Sequence, residues 1–251
     1  MSTTGTKATP FVFRRRALII AVAYGVGFFF GYLIQSAIFH HVEPAFVDVG
    51  QRWGKTGIEA AAWGAAGLAI LAWAVRWWGS SYHSPGVVLN DDVVTQTFMA
   101  AGPYRYVRNP LYLGNVFLAL GIGLLGPVTA TIIVVLANLA IVYRLIAIEE
   151  SYLREAVGEP YVRYCSQVPR LFPRLTPAPL PVDATRPDWL HGFITEFWVL
   201  GFAAATVFVA LQVPRGLWSG IGGVFWLIAI GAIVTQAIAS RTVGAKYRQG
   251  S

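Results

Sequence analysis

Cysteine is almost absent from the chain, with Cys165 alone among 251 residues. That excludes an internal disulfide and any multi-cysteine metal site, and leaves Cys165 as a reduced, incidental thiol. Charge is scarce too: Asp, Glu, Lys and Arg make up 12% of the residues, against about a quarter in soluble domains. No internal repeat and no low-complexity tract is found. Transporters are usually built from repeated halves with polar groups near the bilayer midplane, and here only Asn138 is plainly midspan. Histidine is limited to four residues. His40 and His41 with Glu43 and Asp48 imitate a metal site, but adjacent histidines on regular structure point in different directions, so no metal is expected.

Apolar length takes the place of charge. Hydrophobic residues form 56% of the chain, too many for an ordinary soluble domain and spread over too long a sequence for one span. A bilayer-crossing helix needs about 20 mostly apolar residues, and segments 17–39, 58–78, 127–148, 193–213 and 218–240 satisfy this. A shorter sixth, 111–126, contains Gly114, Gly121, Gly123 and Gly126. Joined to its successor through Gly126-Pro127, it reads as one arm of a tight helical hairpin, because Gly-Pro marks a turn and Pro is tolerated where a helix starts. The expected fold is an all-α integral membrane protein of six transmembrane helices. The first span follows basic residues as a signal peptide would, yet its apolar run is too long and lacks a cleavage site, so it is expected to remain in the mature chain.

The basic residues are distributed unequally. With six spans and a cytoplasmic N-terminus, only Arg52, Lys55 and Arg215 of the 19 lysines and arginines fall outside. This predicts that both termini are cytoplasmic and that the membrane is the cell's inner, plasma membrane. The net charge of +7 then requires no nucleic acid. The charges are scattered along the membrane margins without a stacking platform or recognition motif, and anionic headgroups account for them.

Pro173, Pro177, Pro179, Pro181 and Pro187 space out a linker. The chain divides around it into a two-span region with a cytoplasmic loop (1–101), a helical hairpin with cytoplasmic helices (102–175), the linker (176–192) and a C-terminal two-span hairpin (193–251). The last region has few polar residues, chiefly Glu196, Gln212 and Gln236. Within 79–101, Val87-Val88-Leu89 followed by Asn90-Asp91-Asp92 predicts a short extended piece and a turn, suited to a lid or wall. Gly27-x-x-x-Gly31 predicts a close helix contact, within the bundle or in a homo-oligomer.

Two motifs carry the chemistry. The first is Gly102-Pro103-Tyr104 with Arg108-Asn109-Pro110-Leu111-Tyr112-Leu113-Gly114, placed where the chain enters the membrane. Pro110 opens the helix and Asn109 caps it, leaving an anion-friendly pole at which Arg108 can grip a carboxylate or phosphate. Snorkelling of Arg105 and Arg108 to headgroups is the plainer alternative. The second motif is Glu149-Glu150-Ser151-Tyr152-Leu153, then Gly158-Glu159-Pro160-Tyr161-Val162-Arg163-Tyr164. Glu150 is expected to pair with Arg154 in a surface contact of about 0.3–0.5 kcal/mol. Glu149 is left to Arg144, Arg108 or a bound cation. Gly158 breaks the helix, Pro160 starts another, Tyr161 and Tyr164 share its face, and Pro169 ends it. Aromatic faces suit a cation or an adenine, and equally a membrane-interface belt.

Together these residues resemble the membrane methyltransferases related to isoprenylcysteine carboxyl methyltransferase and phospholipid N-methyltransferase. The family's first motif, Gly-Pro-Tyr followed by Arg-His-Pro-x-Tyr-x-Gly, is similar to Gly102-Pro103-Tyr104 and Arg108–Gly114. The second, a Glu-Glu pair, a leucine, Gly-x-x-Tyr-x-x-Tyr and a closing Val-Pro, is similar to Glu149, Glu150, Leu153, Gly158, Tyr161, Tyr164, Val168 and Pro169. The resemblance implies S-adenosylmethionine in a cytoplasmic pocket, bound by Tyr104, Arg108, Asn109, Pro110, Tyr112, Gly114, Glu149, Glu150, Tyr161 and Tyr164. Of these, Arg108, Asn109 and Glu150 would be the catalytic set. The methyl acceptor would be lipophilic and arrive from the bilayer. Asn109 departs from the family by replacing histidine; it keeps hydrogen bonding but cannot titrate.

Membrane sterol and enone reductases share similar Arg-x-Pro-x-Tyr and Tyr-x-x-Tyr elements and use NADPH, whose 2′-phosphate Arg163, Arg170 and Arg174 could serve. A non-enzymatic membrane scaffold is the third reading. The Glu-Glu pair and the compact chain favour methyl transfer.

Overall fold

The computed structural model describes residues 16–40, 42–82, 99–179, 186–217, 224, 227–235 and 237–238. Among them every regular element is helical. Helix α1 covers Arg16–Ile34 and ends in a wider π turn, Gln35–Phe39. A six-residue helix α2, Ala45–Gly50, lies between it and α3, Gly54–Ser81. Then follow α4, Pro110–Gly123, and α5, Val128–Val157, which form the expected hairpin through Gly126-Pro127. Helix α6 is Glu159–Gln167, α7 is Trp189–Thr195 and α8 is Phe197–Gln212.

Four stretches are long and apolar enough to cross a bilayer: Ile19–Phe39, Ala45–Ser81, Val128–Val157 and Phe197–Arg215. The third expected span, 111–126, is the 14-residue α4, about 21 Å long at 1.5 Å per residue and shorter than the hydrocarbon layer. It is buried on most sides, held between α3 and α5 and touching α8. Within the sixth expected span, 218–240, residues 224, 227–235 and 237–238 are described, and these are helical. The expected extended piece at Val87–Leu89 and its turn lie outside them altogether.

Small residues set the helix spacing. Ala62, Ala65, Ala66, Ala69 and Ala72 of α3 are all buried, and α4, α7 and α8 pack along that helix. Lipid tails are as apolar as leucine, so association must come from close packing and hydrogen bonds rather than from escape from water. The Gly27-x-x-x-Gly31 contact is made within the bundle: α1 meets α5 there, and a Cβ on Gly31 would overlap the Ala130 backbone. Thr129 Oγ1 donates to the Gly31 carbonyl at 2.7 Å beside this crossing. At the same end, the first amides of α2 donate to the Gly126 and Leu124 carbonyls at 2.7 and 3.0 Å. Buried Phe46 then closes the hairpin turn.

At 30 residues α5 is longer than a span requires. Its C-terminal turns, with Glu149 and Glu150, carry on to Gly158, whose φ of +72° suits glycine and ends the helix. Pro160 opens α6 as anticipated, and Val168 is extended before Pro169.

The α1–α5 contact can be tested by thermal unfolding in detergent. Gly31→Val, which forces the two helices apart, is expected to cost about 1–3 kcal/mol. Gly64→Ala, where an added methyl meets nothing within 4 Å, is expected to leave the melting temperature unchanged or slightly raised.

Candidate functional site

The chain between α3 and α4 is a tight turn, Gly102–Arg105, followed by an irregular stretch into Pro110. Gly102 has φ +53° with the Tyr82 ring packed where a side chain would project, so no other residue suits the turn. This stretch pairs with the segment that follows α6. Arg108 N donates to the Pro169 carbonyl, Arg174 N to Tyr106 O and Ala178 N to Arg105 O, each at 2.9 Å. The Arg105 guanidinium adds bonds of 3.1 and 2.8 Å to the Ala178 carbonyl. Arg105 is thereby fixed to protein backbone rather than left to reach headgroups.

That pairing assembles a charge cluster around Glu150, which is only 2% exposed. Arg170 donates to Oε2 from Nε at 3.1 Å and from Nη2 at 2.7 Å. Arg108 Nε lies 3.4 Å from Oε1, and Asn109 Nδ2 reaches the same oxygen at 3.5 Å. Arg154, the expected partner, is 3.9 Å away and half exposed. The foreseen i,i+4 pair is present, but as a longer contact to a carboxylate that is buried and held mainly by Arg170. A carboxylate removed from water needs this much compensation. The fork geometry of the bond with Glu150 makes Arg170 hold its proton more firmly than an ordinary arginine.

Asn109 occupies the position before α4, but its side chain caps no amide. It turns the other way, donating to the Arg170 carbonyl at 3.0 Å. The expectation of an Asn cap is thus overturned: the side chain is turned to place its Nδ2 on the Arg170 carbonyl and the Glu150 carboxylate, and its oxygen accepts from no amide of the first turn. For Glu149, the partner found is the Tyr112 hydroxyl, 2.6 Å from Oε1, rather than Arg144 or Arg108. This bond ties the first turn of α4 to the end of the α5 span.

Tyr104, Tyr161 and Tyr164 are each buried. The Tyr161 and Tyr164 rings lie 5.8 Å apart on one face of α6, and Tyr164 donates its hydroxyl to the Tyr104 carbonyl at 2.8 Å. They form the wall behind Glu150 rather than an interface belt. Burial holds all three phenols above the ordinary tyrosine value, and in Tyr164 the neighbouring Tyr161 adds to the effect while Arg108 opposes it.

Arg108 is nine-tenths buried, and its Nε makes no hydrogen bond among the described residues. Arg108 and Arg170 together bring more positive charge to Glu150 than that one carboxylate cancels. The geometry therefore sets a guanidinium with an unbonded Nε and the Glu149 carboxylate near buried aromatic rings, with Glu150 neutralised among its arginines.

Gly114 stands apart from this cluster. A Cβ there would collide with the Arg76 side chain, so the glycine serves the α3–α4 contact. Pro110 is buried against Gly79 at that contact. Sequence reasoning also passed over Arg76 and Glu196, which form an ion pair of 2.6 Å with Glu196 1% exposed. Glu196 as a lone acid in an apolar segment was the signal that marked it.

Residues 60–159 match the family model described as phospholipid methyltransferase, in accord with the resemblance of the two motifs. The match runs from within α3 to the first residue of α6. It includes Tyr104, Arg108, Asn109, Tyr112, Glu149 and Glu150, whereas Tyr161, Tyr164, Arg170 and Glu196 lie beyond it. No curated protein and no solved structure is significantly similar to the chain. The matched stretch lies in a chain with four helices long and apolar enough to cross a membrane among its described residues.

The Tyr164 hydroxyl supplies a pH test. Unfolded tyrosine releases its proton near pH 10, while burial makes folded Tyr164 retain it. The folded state thus binds more protons above that pH, and stability falls as pH rises from about 10 toward the folded value. Tyr164→Phe is expected to cost about 1–2 kcal/mol at neutral pH through the lost bond to Tyr104 O. It should also fall less steeply than wild type across about pH 9–11 in detergent melting experiments.

Proposed function

We propose that the chain is an S-adenosylmethionine-dependent methyltransferase acting on a lipophilic or lipid-linked acceptor at the cytoplasmic face of the plasma membrane. The observation that carries this reading is the buried Glu150 with Arg108, Asn109 and Arg170 around it, beside Glu149 bound to Tyr112. S-adenosylmethionine presents a carboxylate, an ammonium and an adenine, and these residues complement each of them. Arg108, with its Nε unspent, fits the carboxylate. Glu149 fits the ammonium, and Glu150 holds Arg108 and Arg170 in place beside it. Tyr104, Tyr161 and Tyr164 provide aromatic surface for the base. Asn109 fixes Arg170 and Glu150 relative to each other through its amide. Pro110 and Gly114 contribute by holding α4 against α3.

When bound, the cofactor supplies a methyl group on a sulfonium, open to displacement by an aligned nucleophile. What these residues contribute is position and the exclusion of water. No titrating base is required for a carboxylate or thiolate acceptor, which agrees with asparagine at position 109; an amine acceptor would have to arrive neutral. Both termini, on this reading, lie in the cytoplasm with the cluster, following the basic asymmetry of the sequence. The reductase alternative loses ground because Arg170 is committed to Glu150 and Arg174 donates to the Gln167 carbonyl at 2.7 Å. Those were two of the three arginines available for a 2′-phosphate.

Calorimetry on the detergent-purified chain tests the proposal with S-adenosylmethionine, S-adenosylhomocysteine and NADPH. Both adenosyl compounds are expected to bind and NADPH not to. Glu150→Gln should weaken them about 10- to 100-fold, the worth of one charged hydrogen bond. Binding of NADPH alone would move the chain to the reductases, and wild-type affinity in Glu150→Gln would refute the assigned role of that carboxylate.

A further inference from the structure

Glu196 sits at the junction of α7 and α8, outside the stretch that matches the family model. It is 1% exposed, yet its carboxylate is fully engaged. Arg76 Nε donates to Oε2 at 2.6 Å and Ser80 Oγ to Oε1 at 2.5 Å. The same guanidinium reaches a second helix with its other edge. Arg76 Nη1 donates to Asn115 Oδ1 at 2.6 Å and to the Leu111 carbonyl at 3.1 Å. Its Cζ lies 5.1 Å from the centre of the Trp198 ring, so the first turn of α8 covers the pair from one side.

A buried ion pair adds little net stability over apolar residues of the same volume; its best-attested use is to fix one arrangement among several. Here it fixes α4. One planar group is held by Glu196 and grips the first and second turns of α4 at two points, Leu111 O and Asn115 Oδ1. Gly114, between them, leaves room for the Arg76 stem. Tyr112 stands in the same turn, with its hydroxyl on Glu149. Rotation or sliding of α4 would break both sets of bonds together.

We propose that Glu196 is a positioning residue: acting through Arg76, it sets the rotation of α4 and so the placement of Tyr112 beside Glu149. This gives α7 and α8 a part in the site although they lie beyond the family match. The effect on cofactor binding rests on the methyltransferase reading, whereas the placement of Tyr112 does not.

The test uses the full chain in detergent with a fluorotyrosine incorporated at position 112, observed by fluorine NMR, alongside melting temperature and S-adenosylhomocysteine affinity. Glu196→Gln removes the charge that holds Arg76. Arg76→Lys keeps the pair with Glu196 but lacks the fork that reaches α4 at the same time, and it decides the matter should Glu196→Gln fail to fold. Expected in each folded variant are a shifted or broadened resonance at 112 and about tenfold weaker S-adenosylhomocysteine binding. A lowered melting temperature with the resonance unmoved would show a merely structural pair and overturn the proposal, as would wild-type resonance and affinity in Arg76→Lys. If the wild-type chain binds no adenosyl compound, the methyltransferase reading falls, and the resonance alone still decides the role of Glu196.

Discussion

A carboxylate that leaves water near the end of a membrane helix has to be met by cations from elsewhere in the chain, and much of the architecture at that end of the bundle follows from meeting that need at Glu150. Arg108 comes from the approach to α4, Arg170 from the segment after α6, and Asn109 bridges them. The backbone pairing of residues 105–108 with 169–178 exists at the same place and delivers two of these groups. The fold of that end of the bundle and the composition of the cluster are thus one arrangement viewed from two directions. Removing Glu150 would leave the buried Arg108 guanidinium without the carboxylate beside it.

What could be read from the sequence was local. The Gly126-Pro127 turn, the stop at Gly158, the start at Pro160 and the shared face of Tyr161 and Tyr164 each depend on residues a few positions apart, and the structure has them all. Gly27 and Gly31 were legible as a contact, although not as a contact with α5. The partners of charged groups were not legible. Periodicity offered Glu150 only Arg154, four residues on, and nothing local marks Arg170 as the nearer claimant. Arg76 counted as one more basic residue at a membrane margin, and Glu196 as a stray acid. Their pairing spans 120 positions in sequence and becomes visible only once α3 and α8 lie side by side. Asn109 misled for a related reason: capping is the local inference, but the side chain is oriented by a distant carbonyl, which takes its Nδ2.

Two polar clusters therefore flank α4, one through Tyr112 to Glu149 and one through Leu111 and Asn115 to Arg76. At 14 residues α4 has too little length to be anchored by the bilayer alone. Its position is fixed instead by hydrogen bonds to its neighbours, which hold their geometry better than lipid contacts do. A short helix bearing a binding motif is well placed when its register is set by protein and not by the surrounding solvent.

The length of α5 has a bearing on where such chemistry occurs. A hydrocarbon layer of about 30 Å accommodates roughly 20 helical residues, which, counted from Val128, brings the chain close to Glu149 and Glu150. The acids are then level with the boundary between tails and headgroups. In a thicker or thinner bilayer the helix must tilt or the lipids must stretch, at a cost of fractions of a kcal/mol per Å. Hydrophobic mismatch therefore bears on the depth at which Glu149 and Glu150 come to lie.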